Sequence, residues 1–333
     1  MKYSARLAGR VRRGEHLPVL VAAALRAVTP VQRIGMTLRR MRPKVRVDAY
    51  VVSVGNITAG GTGKTPAVIA RVNAAMAAGR TVAVLTRAYG SQHTDEPLVL
   101  GPDNVASAPR AHFGDEAVHI ARAAEGVWVV KDRNRVRGAH HAIDKLGCDY
   151  LILDDGFQYV RLARDENVLL VDATNPFGNG YLLPRGVLRE PRQAVRRATE
   201  IVLTRCDLAE NPREVAAALR RLNPTAPLRF TRHAPKSVRR LADGEVFDRT
   251  VLQGRTVDAA CAIASPEHFF ATLGQLGATV AERYIYRDHT AFDIPAAHGE
   301  RWLIVTEKDA ARMHTAPPHV YALGIELEDF VPV

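Results

Sequence analysis

Long hydrophobic runs are missing from this chain of 333 residues. No stretch approaches the ~18 uninterrupted apolar residues of a membrane span, and the nine-residue run Leu17–Leu25 is closed by Arg26. Cysteine is scarce. Cys148, Cys206 and Cys261 stand far apart, which excludes a disulfide framework and gives no metal-ligand or redox spacing; a reducing compartment is the easier reading. Internal repeats and low-complexity tracts are absent too, which excludes solenoids and disordered tails as the main architecture. What remains is an ordinary globular composition, 47% hydrophobic, on a chain long enough for two compact lobes.

The net charge of +11 is concentrated in one place. Residues 1–46 hold twelve of the 46 Lys and Arg but one of the 35 acids, Glu15, so the rest of the chain is neutral. Within this basic arm Thr29-Pro30 reads as a helix N-cap and first turn. Val31, Ile34, Leu38 and Met41 then recur at helical spacing, with Arg33 and Arg40 on the opposite side. Such a helix suits the interface of an anionic bilayer. Packing on the body, a signal peptide and a nucleic-acid arm are the alternatives. Arg26 and the further basic residues fit a signal peptide poorly, and Tyr3 is the sole aromatic for base stacking. Residues 1–47 are therefore expected to be a membrane-association segment.

The stretch "VVSVGNITAGGTGKTPAVIA", residues 51–70, combines a β-branched strand, a glycine loop and a helical run. That is the context a phosphate-binding loop requires: backbone N–H groups curl around the anion, and the helix N-terminus adds positive charge. Gly60, Gly61, Thr62, Gly63, Lys64, Thr65 and Pro66 form the candidate cradle. Lys64 would reach the outer phosphates and Thr65 would offer a hydroxyl to Mg²⁺. The first glycine of the usual pattern is replaced by Thr58, with Gly60 and Gly61 expected to take over the turn.

A second cluster lies in "CDYLILDDGFQYVRL". Asp154 and Asp155 end a short apolar strand, the end at which ligands sit in open α/β sheets, and could hold Mg²⁺. A turn in which one of them caps the backbone is the alternative. Further strands at 81–90, 126–133, 167–174 and 200–207 alternate with helices such as 67–78 and 117–124. The pattern predicts a P-loop NTPase-like, doubly wound, mostly parallel sheet over residues 48–230, with a smaller α/β lobe over 231–333. The boundary falls near Arg229–Lys236. Asp115 precedes a helix and reads equally as an N-cap or as a base for a hydroxyl acceptor.

The ordered set "VGNITAGGTGKTP", "TRAYG", "GDE", "KDRNR", "LDDGFQ", "LPRGVLREP", "DHTAFD" and "TEKD" resembles the tetraacyldisaccharide 4'-kinases of lipid A biosynthesis, densely to Pro191 and more thinly beyond. The resemblance implies an ATP- and Mg²⁺-dependent enzyme on the cytoplasmic face of the inner membrane. It would phosphorylate the 4'-hydroxyl of a lipid disaccharide 1-phosphate, with the smaller lobe closing over the nucleotide. It implies Lys64 and Thr65 at the phosphates, Asp155 and Asp154 at the metal, Asp115 as base and His289 as its partner. Arg135, Arg189 and Glu190 are implied to face the active site. Ala88, Arg185 and Val187 depart from the family pattern. Neither a nucleic-acid nor an obligate protein partner is evident. The rival class is an NTP-driven switch or metallochaperone-like GTPase, weakly echoed by "TRCD", where Arg205 replaces the lysine that would stack on guanine.

Overall fold

The structure is a computed structural model; it describes residues 35, 41, 43–87, 95–105, 110–263, 266–287, 293–313 and 315–332. Val31, Ile34 and Leu38 of the helical stripe, Ala88 and His289 lie outside the described residues; Met41 of the stripe is exposed. Thirteen strands form one sheet in the order β11-β10-β12-β13-β8-β7-β6-β1-β5-β2-β4-β3, with β9 paired to β8. The strands are β1 (Tyr50–Gly55), β2 (Val82–Thr86), β3 (Leu98–Leu100), β4 (Trp128–Lys131), β5 (Tyr150–Asp154), β6 (Glu166–Asp172) and β7 (Glu200–Thr204). Beyond them come β8 (Leu228–Arg240), β9 (Val246–Asp248), β10 (Thr256–Cys261), β11 (Thr279–Ile285), β12 (Trp302–Thr306) and β13 (Val320–Asp329).

The N-terminal half is doubly wound because its strands are apolar on both faces. Val52, Val54 and Ile152 point to one side, where helices α1 (Lys64–Ala77) and α2 (Asp115–Ala123) cover them with Ala67, Val68, Val72, Val118 and Ile120. Val51, Leu151 and Leu153 point to the other, against Val136, Ala139 and Ala142 of α3 (Arg135–Leu146). This α3 was not foreseen from the sequence. Val45 and Val47 pack on the same core, and Val45 exchanges backbone bonds of 2.8 Å with Arg161 and Ala163. The body therefore begins a few residues before the expected position 48.

The expected boundary near residue 230 falls inside β8, which runs unbroken from one half to the other. Its first residues pair in parallel with β7, and the remainder pairs antiparallel with β13. Pro235 sits at a register shift between Gly324 and Ile325, where a bulge tolerates a missing N–H. β10, β12 and β13 are mutually parallel and antiparallel to β8. The carboxyl ends of the two strand sets consequently face each other across a cleft walled by β8 and β13. Thr204 ends β7 at the level of Thr231, and Thr306 ends β12 at the level of Val238. The gap is about seven residues of β8, roughly 20 Å. No helix among the described residues is long and apolar enough to cross a membrane.

Candidate active site

The phosphate loop leaves the carboxyl end of β1. Gly55 begins it under compulsion, because a Cβ there would come within 2.7 Å of the Phe157 amide. Thr58 needs no glycine. Residues 57–59 run alongside 187–189, with Arg189 N donating to Ile57 O (2.7 Å) and Ala59 N to Val187 O (2.6 Å), so Thr58 is extended, bridges Leu188 and is buried. The turn comes later. Gly60 has φ 133° and Gly63 φ 79°, left-handed values that favour glycine, whereas Gly61 has no positive φ. Of the two glycines expected to replace the missing one, Gly60 makes the turn.

Gly63 caps α1 and Lys64 is its first residue, which puts Pro66 in the first turn, where its N–H is not missed. Thr62 anchors the loop: Asn56 Nδ2 donates to its Oγ1 (3.0 Å), and Thr204 Oγ1 donates to its carbonyl (3.2 Å). From the β8 side, the His233 ring lies against Gly63 where a Cβ would stand. Burial, reinforced by Arg205, pushes the His233 pKa down to about 3, so the ring is neutral. Arg205, with φ 56°, is paired to Asp172 beside it. No sequence motif announces His233.

β5 lies next to β1 and delivers Asp154 and Asp155 to the loop's flank. Asp155 has φ 50°, a left-handed conformation that aspartate tolerates at a cost of about 1 kcal/mol. Arg189 Nη1 donates to its Oδ2 (2.6 Å), while Lys64 Nζ approaches Oδ1 at 3.7 Å, beyond hydrogen-bond reach. Oδ1 is buried and among the described residues has no hydrogen bond. Burial pushes the Asp155 carboxyl up, but Lys64 and Arg189 outweigh it and hold it below the usual carboxylate range. Asp154 goes the other way. Its side chain is buried, Thr86 Oγ1 donates to it at 3.3 Å, and burial with Glu116 and Asp155 nearby pushes it up to about 7. An ionised Asp155 with an unsatisfied oxygen, next to a carboxyl short of positive charge, is a donor set that fits a divalent cation.

Arg135 and Glu190 sit deeper. Arg135 is almost fully buried, donates to Asp132 O (3.1 Å) and lies 3.5 Å from Asp154 O. Glu190 is buried and fully engaged: Arg197 grips both its oxygens at 2.8 Å, and Gln158 Nε2 reaches Oε1 (3.2 Å) and Asn56 O (2.8 Å). Arg185 stacks on Tyr181, and Val187 is a buried brace under the loop.

Asp115 is the first residue of α2, and the N-cap is Gly114 rather than Asp115. Its carboxylate reaches across the cleft, where Arg312 Nε donates to Oδ2 at 2.6 Å. One turn on, His119 meets Glu307 of the short helix α4 (Glu307–Ala310) through Nδ1 and the Glu307 carbonyl at 3.3 Å. Burial lowers the His119 pKa. Lys64, Asp155 and Arg189 are thus in contact, Asp154 is adjacent, and Asp115 is bound to the opposite lobe.

The model of a known family, tetraacyldisaccharide-1-P 4'-kinase, matches residues 17–329. This chain belongs to the tetraacyldisaccharide-1-P 4'-kinase family. A tetraacyldisaccharide 4'-kinase of Anaeromyxobacter sp. (strain K) is 42% identical over 312 residues, covering 90% of this chain and 82% of that one. One from Geobacter sulfurreducens is 36% identical, covering 86% and 82%. The crystal structure of LpxK from Aquifex aeolicus in complex with ATP superposes with a TM-score of 0.76 at 25% identity, over 93% of this chain and 95% of that one. Family membership makes the chain a phosphotransferase of the P-loop fold and removes the rival reading as a regulatory switch.

Proposed function

We propose that this family member transfers the γ-phosphoryl group of ATP to the 4'-hydroxyl of a tetraacyldisaccharide 1-phosphate, with Asp115 as the base. The observation that carries this is the orphaned Asp155 Oδ1, 3.7 Å from Lys64 at the mouth of the phosphate loop. Backbone N–H groups from Gly60 to Thr65 cradle the phosphates, and Lys64 answers the charge that shifts toward the leaving oxygens. Arg189 fixes the Asp155 carboxylate so that Oδ1 stays turned to the loop. Asp155, with Thr65 and Asp154, would hold Mg²⁺. There it would supply positive charge to offset that of the transferring phosphoryl group.

Asp115 accepts the proton of the sugar hydroxyl. Among the described residues no hydrogen bond reaches its Oδ1, and that oxygen serves as the acceptor. His289, the expected partner of Asp115, lies outside the described residues; its role rests on the family motif. The basic arm ahead of Val45 brings the site to an acylated, anionic acceptor in the cytoplasmic leaflet of the inner membrane. The test is transfer of radiolabelled γ-phosphate from ATP to tetraacyldisaccharide 1-phosphate in mixed micelles, with Lys64→Ala as control. Label in the lipid that vanishes in the variant is expected; nucleotide hydrolysis without lipid labelling overturns the reading. Deleting residues 1–42 should weaken partitioning to anionic vesicles, and unchanged partitioning removes the arm from that role.

A further inference from the structure

We infer that Arg312 is a positioning residue for Asp115, so that docking of the smaller lobe and orientation of the base are a single event. The inference rests on the reading of Asp115 as base.

Arg312 is pre-aimed by its own lobe. Its side chain is only 6% exposed. Nη1 donates to Asp309 Oδ1 (3.2 Å) and to Ala262 O (3.3 Å), which fixes one branch of the planar guanidinium. Asp309 is itself immobilised, since its Oδ2 accepts from Thr306 Oγ1 (2.6 Å) and Ala262 N (3.1 Å). These residues sit at the carboxyl ends of β10 and β12, the ends that face the cleft. The guanidinium fork is rigid, so holding Nη1 also directs Nε, and Nε points at Asp115 Oδ2.

Asp115 is equally constrained on its side. It opens α2, whose Ala117, Val118, Ile120 and Ala121 are locked in the main core. A carboxylate on a first helical residue still has a free χ1, and with one oxygen tethered it loses that freedom. The second contact of α2 with the same lobe, His119 to Glu307, is four residues on and so on the same helix face. Two contacts on one face define a docked orientation, whereas one would define only a pivot. Arg312 takes Oδ2 and leaves Oδ1, the geometry needed for one oxygen to receive a proton while the other is held.

The experiment compares Arg312→Gln, Arg312→Lys, Asp115→Asn and the Arg312→Gln/Asp115→Asn pair in the full-length protein, on ATP and tetraacyldisaccharide 1-phosphate micelles. Melting temperatures identify any variant that fails to fold. Arg312→Gln should lower kcat roughly 10- to 100-fold, the scale of a misplaced catalytic group, while the KM for ATP changes less than about threefold. Arg312→Lys keeps a donor and a charge and should recover part of the loss. In the Asp115→Asn background, Arg312→Gln should cost almost nothing further, because Arg312 acts through that carboxylate. Wild-type kcat in Arg312→Gln, or a full additional loss in the double variant, overturns the positioning role. Should Arg312→Gln fold poorly, the partial rescue and the cycle are read with Arg312→Lys in its place. Loss of turnover in Asp115→Asn but not in either Arg312 variant sinks this inference alone. Wild-type turnover in Asp115→Asn sinks the base reading, and this one with it.

Discussion

Two carboxylates on opposite sides of the phosphate loop are each answered by arginine, and they differ in what is left over. Glu190, beneath the loop, has both oxygens filled by Arg197 and a further bond from Gln158. Asp155, at its mouth, has one oxygen filled by Arg189 and one buried without a hydrogen bond. A satisfied buried ion pair has no capacity for a ligand and serves as a brace. A half-satisfied one is costly unless something arrives to complete it. Chemistry and support are therefore told apart by the unfilled valence, not by residue type or burial.

That contrast can be broken most decisively at the mouth. Lys64→Ala and Asp155→Asn should each lower turnover by about 10²- to 10³-fold or more, with melting temperature nearly unchanged. A melting loss as large as that of a Glu190 variant would erase the distinction. Glu190→Ala should do the reverse. It strands Arg197 and takes from Gln158 one of its two acceptors, which leaves its bond to the Asn56 carbonyl less firmly held, costing about 3 kcal/mol in denaturant unfolding, with a weaker KM for ATP as the loop loosens. Abolished turnover at an unchanged melting point would move Glu190 from brace to chemistry.

A third test concerns three histidines whose charged form burial disfavours. His119, His233 and His268 are all lowered by burial, His233 to about 3. The unfolded chain takes up these protons near 6.5 and the folded one does not. Stability is therefore full above about 6.5 and falls as the pH drops below it, for His233 down to about 3. The slope is up to about 1.4 kcal/mol per pH unit for each histidine. Melting curves from pH 7 to 5 should show this decline, and His233→Gln should flatten it; an equal slope in the variant would exclude His233. The smallest effect is expected at Thr58→Gly. Extended and bridged to Leu188, Thr58 gains nothing from glycine, so about 1 kcal/mol of stability should be lost without faster turnover. A faster enzyme would show that Thr58 restrains the loop.

The portion of the site legible in the sequence is the portion built locally. Gly63-Lys64-Thr65 and Asp154-Asp155 each lie within a few residues of the strand that positions them, so spacing along the chain stands for spacing in space. Thr58 shows the limit of that logic. The pattern demands a glycine when the loop turns at that residue, and here the turn is displaced to Gly60 by pairing with 187–189, a segment 130 residues away. Arg312 was invisible for the same reason: its carboxylate is 197 positions distant, although its i+3 spacing from Asp309 in "TEKDAARM" was a usable signal. The expected lobe boundary near Arg229–Lys236 falls inside β8 because one bulged strand serves both halves, and no break in the local pattern marks where one half ends.

The return of β13 has a consequence for synthesis. Leu327 packs into the core beneath α1, Phe330 packs under β7, and the Phe330 amide bonds the Phe230 carbonyl. The half built from β1 to β7 is thus missing a piece of its own interior until residues 327–330 emerge. Nascent chains usually complete their leading domain early. Here that half stays open while about a hundred residues of the smaller lobe are made, and β13 closes both together.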